Sequence, residues 1–600
     1  MTEKKKFPIG TQDLKKIFDD NAYYVDKTPF IKSVINHDAD VLLITRPRRF
    51  GKTLFMNTLA RFFALDVAQP GNLDSQLAIF PQTEIYKDQV FCQRYMGQYP
   101  VIFLSLKRAY SESGFKDAYL QLVDGIQTQC DKHRYLADST ELSPLEKTNF
   151  QQLLDVDYLK NLENQTTVQN SLEILVACLA KHHHRQVILL IDEYDVPLAK
   201  AVQYGYYDKM IGIIRPLLEN ALKPDPVTEA VYLEKAVITG CLRVSKESIF
   251  TGLNNPGVNT VCTDDSTLNE ALGFTPAEVT EMLRHYQLED KADIVKKWYD
   301  GYRFGSAEIY CPWDLINYCS DITKKPSLRP INYWTNTSGD NPVKDYLGFL
   351  SGEDTDKMQA LVDGKSIEIK VNEHLNYNTL ADHRSDDFWS LLLFTGYLTI
   401  APDAINNDNV GIRAVRIPNE EIRHAFESGI LEFFSQTNIR YVQRGKAFVD
   451  ALFSGNPDTV AEVLTPLLSN YVSIRDTATK APAENFYHGF LSGLLTSAGI
   501  SENDMHSNPE AGNGYADLIL THGVGSLRIG VIIELKHCTQ PIDIYDAADS
   551  AVEQIKDKRY TDFLRKMRCR KHIVYGIAFC RKTCAVSGGA VPAAADPQLS

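Results

Sequence analysis

Paired cysteines are missing from this chain. Its eleven cysteines are scattered over 600 residues with no C-x-x-C spacing, which excludes a disulfide framework and fits a reducing compartment. The nearest pair, Cys580 and Cys584, has no second pair or spaced histidines beside it, so a zinc site is not expected. Long apolar runs are missing too. No window approaches the roughly 18 consecutive apolar residues of a membrane span, and the opening MTEKKKFPIG lacks the apolar core of a secretion signal. A cytoplasmic chain with no membrane partner is expected. Positive charge is in deficit, with 63 Lys and Arg against 77 Asp and Glu and a net charge of -14. That excludes coating of nucleic acid by bulk electrostatics and leaves only a local basic surface for such a partner.

What is present is an ordinary globular composition, 44% apolar and 23% charged, in a length that suggests roughly three or four domains. Short apolar runs stand at VLLIT (Val41 to Thr45), VIFLSL (Val101 to Leu106), VILLI (Val187 to Ile191) and AVIT (Ala236 to Thr239), separated by helical stretches. Near-continuous apolar strands suit a parallel sheet covered on both faces, so residues 1–270 are expected to form a doubly wound α/β domain. Residues 271–480 read as a mainly helical middle region, opened by Thr275, Pro276 and Glu278 in capping-box positions. Its aromatic residues Trp298, Tyr299, Tyr302 and Phe304 suit packing of a loop on a core better than stacking on a base. Residues 481–584 read as a compact α/β module, with a helix at ENFYHGFLSGLLTSAG and strands at GYADLILTH and LRIGVIIELKH. Residues 585–600, AVSGGAVPAAADPQLS, can bury little and are expected to be a disordered tail.

Chemistry concentrates first at RPRRFGKT, Arg46 to Thr53, between the strand VLLIT and a helix. At such a helix start, backbone N–H groups and the positive end of the helix dipole meet phosphates, Lys52 reaches the terminal ones and Thr53 ligates magnesium. Phe50 and Gly51 complete this P-loop end. Arg46 stands where the first glycine of a P-loop is usual, and Arg46, Arg48 and Arg49 are read as further phosphate contacts. A chance Gly-Lys-Thr at a helix start is the competing reading. Against it stands VILLIDEYD, a buried strand ending in Asp192 and Glu193, one carboxylate to hold magnesium and the next to polarise an attacking water. Thr239, ending AVIT, is suited to sense the terminal phosphate. Arg243 is either an arginine finger in cis or a brace for a loop carboxylate. His182 to His184 lie at a helix end, where cation and dipole agree, and are not read as a metal site.

RPRRFGKT, VILLIDEYD and TGCLRVSKESIFTGLNN together resemble the AAA-ATPase-like family, over about Lys6 to Leu253. The resemblance implies ATP binding and hydrolysis in a mostly bacterial family where arginine in place of the first glycine is usual.

The second concentration is acidic. Glu534 and Lys536 share one strand face, and a hairpin brings Asp517 alongside them. Two carboxylates bind magnesium and a lysine stabilises developing negative charge, which is nuclease chemistry; alternation of acid and lysine on a solvated strand is the competing reading. ENFYHGF, GYADLIL, IIELKH and AVEQIKDKRY resemble the PD-(D/E)XK nuclease superfamily. That resemblance implies Glu484 as a helical acidic residue, Asp517 and Glu534 as metal ligands, Lys536 as catalytic lysine and Gln554 as an auxiliary residue. Lys556 to His572 carries eight Lys or Arg against two Asp, either a phosphate-binding surface or a solvated helix face. The joint expectation is an ATP-binding and ATP-hydrolysing protein with a magnesium-dependent nuclease domain acting on DNA. The alternative is a nucleotide-controlled switch or scaffold whose C-terminal module binds nucleic acid or protein without cleavage.

Overall fold

The computed structural model describes residues 5–591 other than 225–229, 244–255, 335–351, 376–383, 403–410, 428–438, 472–483, 501–503, 524–527 and a few shorter breaks. The chain divides into two compact units, Met1–Thr337 with Glu368–Ile422, and Ser338–Ile367 with Arg423–Ser600. Among the described residues no helix is long and apolar enough to cross a membrane.

The first unit is built on five parallel strands: β1 (Val41–Thr45), β2 (Val101–Ser105), β3 (Val187–Asp192), β4 (Leu233–Gly240) and β5 (Gly257–Asn259), in the order β2-β3-β4-β1-β5. β1 and β3 are buried from end to end, as their unbroken apolar runs require. A fully buried side chain such as Leu190 contributes about 1.5–3 kcal/mol by leaving water. β5 has only three residues, one of them β-branched, and so carries no periodic signal in the sequence. After β1 the chain enters helix α1 (Lys52–Phe63), which buries Phe55, Met56, Leu59, Phe62 and Phe63 on one face against the sheet.

The expected middle region is shared between the two units. Helix α2 (Pro276–Tyr286) of the first unit begins with the capping box read from the sequence: Glu278 N–H donates to Thr275 Oγ1 and Thr275 N–H donates to Glu278. Helices alternate there with short strand pairs, Tyr302–Phe304 with Ala307–Ile309, and Thr399–Ile400 with Ile412–Arg416. Tyr299, Tyr302 and Phe304 are buried.

The second unit holds β6 (Met505–Ser507), β7 (Leu518–His522), β8 (Ile529–His537), β9 (Lys571–Cys580) and β10 (Thr583–Val591), ordered as numbered and antiparallel except for the β8–β9 pair. Residues alternate cleanly between two faces. Val531, Ile533 and Leu535 join the cluster that includes Tyr487 and Leu491 of helix α3 (Glu484–Ser497). Ile519, Ile532 and Val574 pack with Val552 and Ile555 of helix α4 (Ile544–Asp557). Residues 585–591, expected to be disordered, instead form most of β10. A small-residue segment gains order as an edge strand because the backbone of β9 supplies its hydrogen bonds. Gly588, at φ +110°, approaches so closely that a Cβ would lie 2.1 Å from the Val574 carbonyl. Residues 592–600 of that expected tail lie outside the described residues.

Candidate functional site

In the first unit, the ends of β1, β3 and β4 meet. Gly51 takes φ +87° before α1, and Arg46 N–H donates to Gly240 O at the end of β4. Thr53 Oγ1 donates to Asp192 Oδ2 at 2.7 Å, and Thr239 Oγ1 donates to Asp192 Oδ1 at 2.6 Å. Asp192 is therefore gripped on both oxygens and is 1% exposed. Lys52 Nζ donates to the carbonyls of Arg46 and Pro47, each at 2.8 Å. Glu193 follows at φ +54°, a conformation uncommon outside glycine. Burial raises its carboxyl pKa above the ordinary range, the charge of Asp192 adds to this, and Lys107 and Lys52 oppose it.

The turn after β3 is bolted to the segment after β4. Tyr194 OH donates to Leu242 O at 2.8 Å, while Asp195 Oδ2 accepts from the N–H groups of Cys241 and Leu242, both at 2.9 Å. Asp195 thus holds the segment that leads to Arg243. Arg243 lies 3.7 Å from the carboxylate of Glu373, the kind of contact the loop-bracing reading expects.

Two of the expected phosphate contacts are used differently. Arg46 is wholly buried; its guanidinium donates to Thr45 O, Asn259 O, Asn259 Oδ1 and Asn269 Oδ1 and lies 4.6 Å from the Phe304 ring centre. Burial lowers its pKa to about 9. It fastens the loop to Asn259 at the end of β5 and to Asn269 beyond it. Arg49, at φ +74°, donates to Tyr333 O at 2.8 Å and covers the Trp313 ring. Phe50 is buried edge-on against Tyr302 and Phe304. Arg48 is exposed on the loop.

In the second unit, Asp517 lies immediately before β7 rather than inside it. The pairing of Leu518 with Ile533 brings it level with Glu534. Asp517 Oδ2 accepts from Leu535 N–H at 2.7 Å. Burial raises the Asp517 pKa, while that N–H, His488 and Lys536 pull it down. Glu534 is 3% exposed and accepts from the Gln554 amide of α4, which also meets Tyr560 OH at 3.4 Å. Lys536 Nζ lies 3.7 Å from Glu534 Oε1. His488, one helical turn beyond Glu484 on α3, donates from Nε2 to Asp517 O at 2.9 Å. Glu484 opens α3, and its side chain lies outside the described residues.

Residues 8–250 match the AAA-ATPase-like family model, described as "Predicted AAA-ATPase", and residues 482–588 match the PD-(D/E)XK nuclease superfamily. The chain joins an AAA-ATPase-like domain to a PD-(D/E)XK nuclease-superfamily domain. It is also 24% identical over 593 residues to an uncharacterized protein in the vnfD 5' region of Azotobacter chroococcum mcd 1, with 98% of each chain covered.

The ATPase-like domain offers hard oxygen donors, the hydroxyl of Thr53 and the carboxylate of Asp192, which suit magnesium. The nuclease-superfamily domain offers Asp517 and Glu534 side by side, a donor set of the same kind. Sequence reasoning missed His488, Tyr560 and the bonds that Asp195 makes to the segment after β4. The i, i+4 spacing of Glu484 and His488 was the one available signal.

Proposed function

We propose that the N-terminal domain binds and hydrolyses ATP with magnesium, and that the C-terminal domain cleaves nucleic acid, DNA in the first instance, with a divalent metal. The observation that carries this is the double grip of Thr53 and Thr239 on Asp192, next to Lys52 and Glu193. In the ATPase reading, Lys52 exchanges its two loop carbonyls for the terminal phosphates, and the first N–H groups of α1, which have no carbonyl within the helix, donate to phosphate oxygens. Thr53 and Asp192 hold magnesium, which when bound neutralises phosphate charge. Glu193 accepts the proton of the attacking water, and Thr239 turns its hydroxyl to the terminal phosphate. In the nuclease reading, Asp517 and Glu534 hold the metal, which when bound polarises the phosphodiester. Gln554 orients Glu534, and Lys536 stabilises the charge developing on the phosphate. All eleven cysteines are free thiols, which supports a cytoplasmic setting.

A second reading has one observation in its favour. Glu534 already takes the Gln554 amide and Lys536 as partners, which suits a nucleotide-controlled module whose C-terminal domain binds nucleic acid or protein without cutting it. Paired ATPase and nuclease assays decide between them. Cleavage with magnesium that is lost in Asp517→Asn and kept in Lys52→Ala supports two separate sites; no cleavage of any DNA or RNA favours the second reading. A melting temperature unmoved by saturating Mg-ATP rejects the nucleotide site altogether, because a ligand of the folded state must stabilise it.

A further inference from the structure

The segment just before Asp517 is a small hairpin, Glu510–Ala511 paired with Gly514–Tyr515. Its turn is pressed on the corner that follows α4. Asn513 N–H donates to Lys558 O at 2.8 Å, and Gly512, at φ +55°, comes so near that a Cβ would lie 2.1 Å from the Lys558 carbonyl and 2.5 Å from that of Arg559. The other strand is fixed as closely: a Cβ on Gly514 would lie 3.1 Å from Tyr560 OH. That hydroxyl meets the Gln554 amide, which donates to Glu534. Two residues, Tyr560 and Gln554, therefore link the hairpin to Glu534.

On this hairpin Tyr515 is 68% exposed, a large ring left in water by a strand whose next residue, Ala516, is fully buried. Tyr515 stands two residues before Asp517, across the bend that joins the hairpin to β7. Around the hairpin, Lys556, Lys558 and Arg559 are exposed. Farther along, Arg565 is partly neutralised by Asp562 at 2.5 Å, and Arg559 lies 3.3 Å from the same carboxylate. Cations beside a carboxylate pair call for a ligand that is itself a polyanion. A flat ring among them calls for a ligand that also has a π face. Bases inside an intact duplex are stacked on one another and cannot lie on the ring; an unpaired base can.

We propose that the Glu510–Tyr515 hairpin is a strand-holding element in which Tyr515 stacks on an unpaired base while Lys558 and Arg559 take the adjoining phosphates, so that the substrate is single-stranded or splayed-end nucleic acid. This rests on reading the C-terminal domain as a nuclease. The test is fluorescence anisotropy of the full chain with a labelled single-stranded oligonucleotide and with its duplex, without divalent metal, alongside magnesium-dependent cleavage of both. The single strand is expected to bind tighter than the duplex. Tyr515→Ala is expected to weaken single-strand binding on the order of ten-fold, with duplex binding within about two-fold, while Tyr515→Phe keeps both. Lys558→Ala is expected to weaken both forms and to lower the salt slope by about one. Unchanged far-UV dichroism and unchanged ATP turnover in each variant exclude misfolding as the cause. Tyr515→Ala binding like wild type, or a preference for duplex, overturns the inference even if cleavage still depends on Asp517. Absence of both binding and cleavage overturns the nuclease reading and the inference with it.

Discussion

Arg46→Ala separates a structural arginine from a phosphate-binding one. The buried guanidinium supplies hydrogens to four acceptors, Thr45 O, Asn259 O, Asn259 Oδ1 and Asn269 Oδ1. Truncation leaves them without that donor at about 1–3 kcal/mol for each one that stays unsatisfied. Two effects oppose the loss. A charge whose burial already lowers its pKa to about 9 is no longer desolvated, and Asn259 Nδ2, 3.3 Å from Asn269 Oδ1, is placed to take over part of the network. A net loss of about 3 kcal/mol follows. For a unit of roughly 390 residues, at about 2.1 cal/mol/K per residue, the unfolding entropy is about 0.8 kcal/mol/K, so the nucleotide-free melting temperature should fall by about 4 °C. Scanning calorimetry of the full chain measures this, and an ATP titration of the folded variant measures affinity separately. A melting point within about 1 °C of wild type, together with ATP affinity reduced ten-fold or more, would refute the structural role and return Arg46 to the phosphates.

Glu193→Gln should abolish ATP hydrolysis while leaving ATP binding, read by filter binding and turnover. In the wild type, the raised carboxyl pKa of Glu193 means that the base is protonated and idle at low pH, so the acid limb of the rate profile should lie above the usual carboxylate range; a limb at or below that range would disprove its role. Thr239→Val removes the hydroxyl on Asp192 Oδ1 without changing bulk, and should lower kcat by about 10- to 100-fold with little change in KM. Glu421 is buried against Asp314, accepts from Trp334 N–H at 2.8 Å, and has its pKa raised to about 9, first by burial and then by Asp314. Because a carboxyl with a raised pKa binds its proton more tightly in the folded state, stability falls as pH rises from the ordinary carboxylate range to about 9. Glu421→Gln should flatten that fall in pH-dependent denaturation, and an unchanged slope would show that the pair holds no extra proton. Gln554→Ala frees Glu534 from its amide donor and should weaken metal-dependent stabilisation of the C-terminal unit, measured by thermal shift with and without magnesium.

What the sequence made legible was whatever is written in local pattern. β1, β3 and β4 were readable because parallel strands buried on both faces must be continuous runs of apolar residues, and α2 because a capping box is a spacing of three. The direction of the Arg46 side chain was not readable, since its partners Asn259 and Asn269 are more than two hundred residues away, one ending a strand of only three residues and the other in a short 3-10 turn. The same holds for Asp195, whose partners are backbone N–H groups that leave no mark on composition. β10 was missed for a different reason. Gly, Ala and Ser cannot bury enough apolar area to order themselves, and only the free edge of β9 makes a strand of them.

The order β2-β3-β4-β1-β5 explains why residues 53, 192 and 239 converge at all. Neighbouring strands lie about 4.8 Å apart, so with β4 interposed the carboxyl ends of β1 and β3 stand about 10 Å apart. The wider gap needs a side chain from the middle strand to fix the acid from below, and Thr239 is that side chain, paired in register with Ile44 one residue before the loop begins. The start of α1 then reaches across with Thr53 to close the other oxygen. A hydroxyl from each side of a single carboxylate is therefore a consequence of strand order, and the sequence could show it only as three separate short motifs.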